Sequence, residues 1–223
     1  MTLVRCSEVS RTFGHGDRAV VAVHGCSCAV EAGARIAITG PSGSGKSSLL
    51  HLLAGLERPT SGSVDWPEFG VDASARSRDI AVVFQGTSLL PALDVLENTA
   101  LAAVLTGTDE AEATPRASVA LAAVGLSGYA GQLADTLSGG QAQRVAVARA
   151  MTLRPRLILA DEPTGQLDAE TGVQVLDALL TAADETGAAL VVTTHDPVIA
   201  GRLDERWAMD DGRLLVTARD GVA

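Results

Sequence analysis

Lysine is almost missing from these 223 residues: of 17 basic side chains, 16 are arginine and one, Lys46, is lysine. Aromatic residues are scarce too, at 3% against 47% hydrophobic overall, so the core is expected to be alanine, leucine and valine. No apolar run reaches the roughly 18 residues that a membrane-spanning helix requires. Positive charge is in deficit, with a net charge of −10 and a pI near 4.8, which argues against a nucleic-acid-binding surface. Cysteine occurs three times, at Cys6, Cys26 and Cys28, an odd number that suits a reducing compartment. Alternation along a strand puts His24, Cys26 and Cys28 on one face, but a closed zinc site needs a fourth ligand. The cysteines read as buried strand residues. The start, Met1 to Glu8, has no apolar stretch behind its charge, so no signal peptide is expected. Internal repeats and low-complexity segments are absent.

The lone lysine lies in Gly40-Pro41-Ser42-Gly43-Ser44-Gly45-Lys46-Ser47, followed by Ser48. This matches G-x-x-x-x-G-K-[ST], the phosphate-binding loop, a pattern that counts only between a strand and a helix. Both flanks are there: Arg35 to Thr39 is a short apolar strand, and Ser47 to Ala54 reads as a helix. Where arginine serves every other need for positive charge, a single lysine marks a place the planar guanidinium does not fit. A compact ammonium on a flexible stem reaches between two phosphates. The three glycines let successive N–H groups turn toward an anion, and the helix N-terminus adds its dipole. Ser47 offers a hydroxyl to the Mg²⁺ that accompanies a nucleotide.

Elsewhere the pattern is that of an α/β chain. Leu3–Val9, Val20–Val23 and Cys26–Val30 alternate as strands, with a turn at Gly14–Asp17. Pro59 to Gly62 turns into a strand at Ser63–Trp66, and Ile80 to Phe84 is another. Residues 91–150 are mostly helical and Ala-rich, with breaks expected at Gly107, at Pro115 and from Gly125 to Gly131. Arg156 to Ala160 is a continuous apolar run, as in a strand buried on both faces. Leu176, Leu179, Leu180 and Ala183 make a helical stripe, and Leu190 to Thr193 is a second buried strand. Asp211-Gly212 turns a final hairpin between Trp207–Met209 and Arg213–Val216.

Two more motifs narrow the class. Leu137-Ser138-Gly139-Gly140-Gln141 precedes a helical run from Ala142, and Asp161-Glu162-Pro163-Thr164 ends the apolar strand. In this order, over essentially the full length, the chain resembles the nucleotide-binding domain of ATP-binding cassette (ABC) transporters. The resemblance implies a P-loop NTPase fold with a mostly parallel central sheet, a small N-terminal antiparallel β-subdomain and a helical signature subdomain at about 86–150. It implies one such domain over 1–223. It assigns Phe13 to adenine stacking with Val20 beside it, Gly40 to Ser48 to the phosphates, and Gln85 to Mg²⁺ and the attacking water. Asp161 would hold Mg²⁺, Glu162 would be the general base, and His195 would contact the γ-phosphate. Asp168 would lie in the loop that crosses a dimer interface.

Because Ser138 and Gly139 form a second anion-binding helix start, they would serve a partner's ATP, together with Gly140 and Gln141. That implies a head-to-tail homodimer with two ATPs between phosphate loop and signature. Leu89-Leu90-Pro91, Glu97-Asn98 and Ala160 to Asp168 are similar to one class, the ATPases of lipoprotein-releasing, macrolide-exporting, cell-division and antimicrobial-peptide-resistance systems. The expected setting is the cytoplasmic face of a membrane, bound to a separately encoded permease, with no nucleic-acid partner. The segment from Gly62 to Phe84 is short for the class, and Gly86-Thr87-Ser88 is small; both bear on which membrane protein it meets. Two other readings are a soluble ABC ATPase acting on ribosomes or DNA, and a nucleotide-binding regulator that no longer hydrolyses. Length and pI oppose the first, and intact Lys46, Asp161, Glu162 and His195 oppose the second.

Overall fold

A computed structural model describes residues 1–69, 76–86 and 88–217. Two sheets share its core. The smaller is antiparallel, in the order β2-β1-β4, with β1 (Thr2–Phe13) between β2 (Val20–Glu31) and β4 (Ser61–Asp65). The larger has six strands in the order β5-β6-β7-β3-β8-β9. These are β3 (Arg35–Thr39), β5 (Ile80–Val83), β6 (Leu157–Asp161), β7 (Ala189–Thr194), β8 (Glu205–Asp210) and β9 (Arg213–Thr217). All neighbours run parallel except β9, which returns beside β8 as a hairpin.

The helices are α1 (Lys46–Ala54), α2 (Val95–Leu105), α3 (Glu110–Ala123), α4 (Gly139–Thr152), α5 (Ala169–Thr186) and the short α6 (Pro197–Ala200). Strands β6 and β7 are buried at every position, because each face of the sheet is covered. Ile158, Ala160, Leu190 and Val192 meet α4 and α5 on one face. Leu157, Leu159, Ala189 and Val191 meet α1 and the antiparallel sheet on the other. Alternation then carries Asp161 and Thr193 to the α1 face.

Four local expectations are corrected. Val20–Val23 and Cys26–Val30 belong to one strand, and Gly25, at φ +53°, lies where the β1–β2 register shifts. Pro115 does not interrupt α3. Pro115 and Ala111 are both exposed, so the Ala111 carbonyl that loses its helical donor turns to water. Ser61 and Gly62 are already in β4, while Trp66 lies beyond it and donates its indole N–H to the Leu53 carbonyl at 2.9 Å. Helix α4 starts at Gly139 rather than Ala142, because Ser138 and Gln141 form a reciprocal capping box. Thr87 and most of the short stretch after Phe69 lie outside the described residues. No described helix is long and apolar enough to cross a membrane.

Candidate functional site

The phosphate-loop pattern sits where β3 ends and α1 begins. Gly40 and Gly45 have φ of +150° and +97°. A Cβ at Gly40 would strike the Met209 carbonyl, and one at Gly45 the Ala22 carbonyl. The loop is therefore pressed between β8 and β2. Lys46 is buried, and its ammonium donates to the carbonyls of Gly40 at 3.0 Å and Pro41 at 2.9 Å. The cation thus lies across the mouth of its own loop. Ser44 Oγ is buried with no hydrogen-bond partner. Pro41, Ser42 and Gly43 are exposed on the outer turn, and Ser48 is half-buried in α1. An orphaned buried hydroxyl in the same loop as a buried lysine, with no room for a Cβ at Gly40 or Gly45, fits a phosphate group.

Parallel pairing brings the acidic motif to this loop. Asp161 is 4% exposed, and its Oδ1 accepts from Ser47 Oγ at 3.0 Å. Two hard oxygen donors from different elements meet here, the chemistry that suits Mg²⁺. Glu162 follows at φ +44°, a left-handed conformation uncommon outside glycine. Its carboxylate reaches toward His195, with Oε2 and Nδ1 3.4 Å apart. Glu162, Gly165, Thr194, His195 and Asp196 line a cavity of about 130 Å³. A larger groove of about 840 Å³, lined by Pro115, Val119, Met151 and Glu185, contains none of the predicted site residues.

The other predicted residues lie on separate surfaces. Phe13 pairs with Val20 across β1 and β2, and both are exposed, at 38% and 63%. Val20 is two residues from Ala22, whose carbonyl abuts Gly45, so the Phe13–Val20 pair lies about 7 Å along the strand from the loop. The Arg11 guanidinium covers the Phe13 ring at 4.4 Å and is itself held by Glu57 at 2.7 Å. Gln85 is exposed just after β5. The signature packs elsewhere: Gly139 faces Gln166 and Gly140 faces Leu167. Asp168 caps α5, accepting from the Thr171 N–H at 2.9 Å and its hydroxyl at 2.7 Å. These bonds hold its pKa below the ordinary aspartate value.

Some residues escape a motif reading. Gln143 donates to the Phe84 carbonyl at 3.3 Å, and Arg149 donates to the Ser88 carbonyl at 2.8 Å and hydroxyl at 2.5 Å. Helix α4 therefore grips the chain on both sides of Gln85. Arg144 and Arg149, on the same helix, have no ion pair among the described residues. Both hold backbone carbonyls, Arg144 that of Val124. His51 is a packed residue of α1, tilted against Phe84 with ring centroids 6.0 Å apart. Cys6 and Cys26 are buried and Cys28 half-buried, all free, with the Cys26 and Cys28 sulfurs 3.9 Å apart.

A phosphate loop at one parallel strand end, facing an Asp-Glu pair at another, defines a P-loop nucleoside triphosphatase. The chain belongs to the ABC transporter family, whose profile, described as "ABC transporter", matches residues 23–165. It is the ATP-binding, ATP-hydrolysing subunit. It is similar to the lipoprotein-releasing system ATP-binding protein LolD of Shewanella sp. (strain MR-4), 39% identical over 97% of this chain and 96% of that protein. LolD of Nitratidesulfovibrio vulgaris (strain Hildenborough) is 42% identical over 95% and 94%. Among solved structures, the dimeric post-hydrolysis state of the ATP-binding cassette MJ0796 bound to ADP and Pi superposes with a TM-score of 0.89. It is 32% identical, over 97% of this chain and 98% of that one.

Proposed function

We propose that residues 1–223 act as one nucleotide-binding domain that hydrolyses Mg-ATP and drives a separate membrane permease of the lipoprotein-releasing type. The observation that carries the site reading is the meeting of Ser47 with Asp161, next to Glu162 and His195. The near-full-length likeness to LolD proteins supports the choice of permease class.

In this reading Phe13 stacks on the adenine with Val20 packed beside it, and the amides of Gly40 to Ser48 bind the phosphates. Lys46 leaves the Gly40 and Pro41 carbonyls to bridge the β- and γ-phosphates. Ser47, Asp161 and Gln85 are the oxygen ligands available to Mg²⁺, directly or through water. When bound, Mg²⁺ offsets the charge on the β- and γ-oxygens. Glu162 accepts a proton from a water that attacks the γ-phosphorus in line. The bond from that phosphorus to the β,γ-bridging oxygen breaks, and its electron pair leaves with ADP. His195 orients the γ-phosphate from the other wall of the cavity.

The signature Ser138 to Gln141 packs against Gln166 and Leu167 of its own chain. Its exposed helix start is free to cap a γ-phosphate held by a second copy. The active unit is therefore a head-to-tail dimer with ATP at each interface and Asp168 near the seam. The assembly sits on the cytoplasmic face of a membrane, held there by its permease. Glu162→Gln is the test. Hydrolysis is expected to fall by about two orders of magnitude or more, while ATP stays bound. Hydrolysis near the parent rate would overturn the assignment.

A further inference from the structure

Every residue of β7 is buried, and four of its six are apolar. Of its two threonines, Thr193 is the one that meets the Asp161 carboxylate, and it is 0% exposed. A hydroxyl placed there costs free energy unless its hydrogen bonds are made. Valine would fill the same space without that demand. The next threonine, Thr194, has a separate task, since its Oγ1 accepts from the Asp196 N–H at 3.0 Å.

We propose that Thr193 is a positioning residue for hydrolysis, one hydroxyl setting the metal-side and the base-side carboxylates together. In register, Thr193 lies beside Asp161 on one flank and Ile38 of β3 on the other, between the acidic motif and the phosphate loop. Its Oγ1 donates to Asp161 Oδ1 at 2.6 Å and accepts from the Glu162 N–H at 2.9 Å. A hydroxyl has one proton to give and two lone pairs, so both bonds are made at once. Ser47 donates to the same Oδ1. The two donors clamp the carboxylate by one oxygen. The second bond matters as much. Glu162 is in a left-handed conformation that a glutamate rarely adopts. Its N–H is gripped by both the hydroxyl and the carbonyl of Thr193, the latter at 3.2 Å. Those bonds hold the turn that aims the carboxylate at His195.

The proposal rests on the site reading above, so its test must separate the two. Thr193→Val keeps the shape and removes the hydroxyl; Thr193→Ser restores it. Outer-shell partners of metal-site carboxylates are typically worth about tenfold or more. In the full chain, Thr193→Val should therefore lower kcat about tenfold, with the KM for ATP within about twofold of the parent. In a Glu162→Gln background, which does not turn over, the Mg²⁺ concentration at half-maximal ATP binding should rise by about tenfold. Thr193→Ser should recover most of both losses. Melting temperatures without nucleotide or Mg²⁺ report folding separately. Thr193→Val with the parent's kcat and Mg²⁺ midpoint overturns the proposal. So does a lower melting temperature with an unchanged Mg²⁺ midpoint, since the hydroxyl is then structural only. If Asp161→Asn leaves Mg²⁺ dependence and hydrolysis intact, the site reading falls instead.

Discussion

His195 Nδ1 stands 3.4 Å from Glu162 Oε2, joining the strand end of β7 to that of β6 across a small polar cavity. The imidazole is mostly exposed and the carboxylate mostly buried. One wall therefore moves easily and the other does not. His195→Ala should reduce kcat about a hundredfold while leaving ATP affinity within about twofold, as expected for a group that acts in the transition state. Steady-state kinetics with a direct binding titration checks it. A change confined to KM would mean the imidazole only binds.

Lys46→Arg should weaken ATP binding by at least about tenfold, nearly as much as Lys46→Ala. The ammonium fits between two carbonyls about 3 Å away, whereas the guanidinium fork is wider and planar. An arginine variant with the parent's affinity would show that charge alone suffices.

In the Glu162→Gln background, Mg-ATP should convert monomer into dimer, and Ser138→Arg should abolish the conversion. In the proposed dimer ATP would supply much of the interface, so the shift should follow nucleotide concentration. Solution mass by light scattering measures it. Dimerisation of the double variant equal to its parent would remove the signature from the interface.

Arg149→Met should slow hydrolysis about ten- to a hundredfold by releasing the chain beside Gln85, since small misplacements around a reacting centre carry costs of that order. Nucleotide affinity should hold, because Arg149 touches none of the loop from Gly40 to Ser48. Single-turnover and binding measurements separate the two effects. Loss of affinity in step with rate would point to a general loss of structure.

Asp168 gives a pH signature. Its folded pKa is depressed by the hydrogen bonds from Thr171. The ionised cap therefore stabilises the fold fully above the unfolded aspartate value of about 3.9, and that contribution is lost as pH falls through the lower folded value. Melting temperatures of the parent and Asp168→Ala should differ by a constant amount from neutral pH down to about pH 4 and converge below it. A gap that persists in strong acid would mean the cap works without its charge.

Much of this was legible along the chain. Phosphate loop, signature and acidic pair are contiguous motifs, and their chemistry depends on residues within one turn or strand end. Apolar runs at Leu157–Ala160 and Leu190–Val192 marked the buried strands, because a strand covered on both faces has no polar positions to alternate. Pro115 misled because a proline on the wet side of a helix gives up a hydrogen bond that water replaces. At the signature, the helix start expected at Ser138 and Gly139 is there, and the regular helix runs from Gly139 rather than Ala142 because the Ser138 and Gln141 side chains cap it reciprocally.

The sequence by itself determined the family and its ATPase activity, since Gly40 to Ser47, Leu137 to Gln141 and Asp161-Glu162 are motifs legible in local spacing. Only the tertiary structure decided which side chains meet. Ser47 and Asp161 are 114 residues apart and Asp161 and Thr193 are 32 apart. They join because β6, β7 and β3 are adjacent and parallel, an order that no local pattern states. Thr193 and Thr194 are identical in kind and adjacent in the chain. Strand parity alone turns one to the carboxylates and the other to the turn at Asp196.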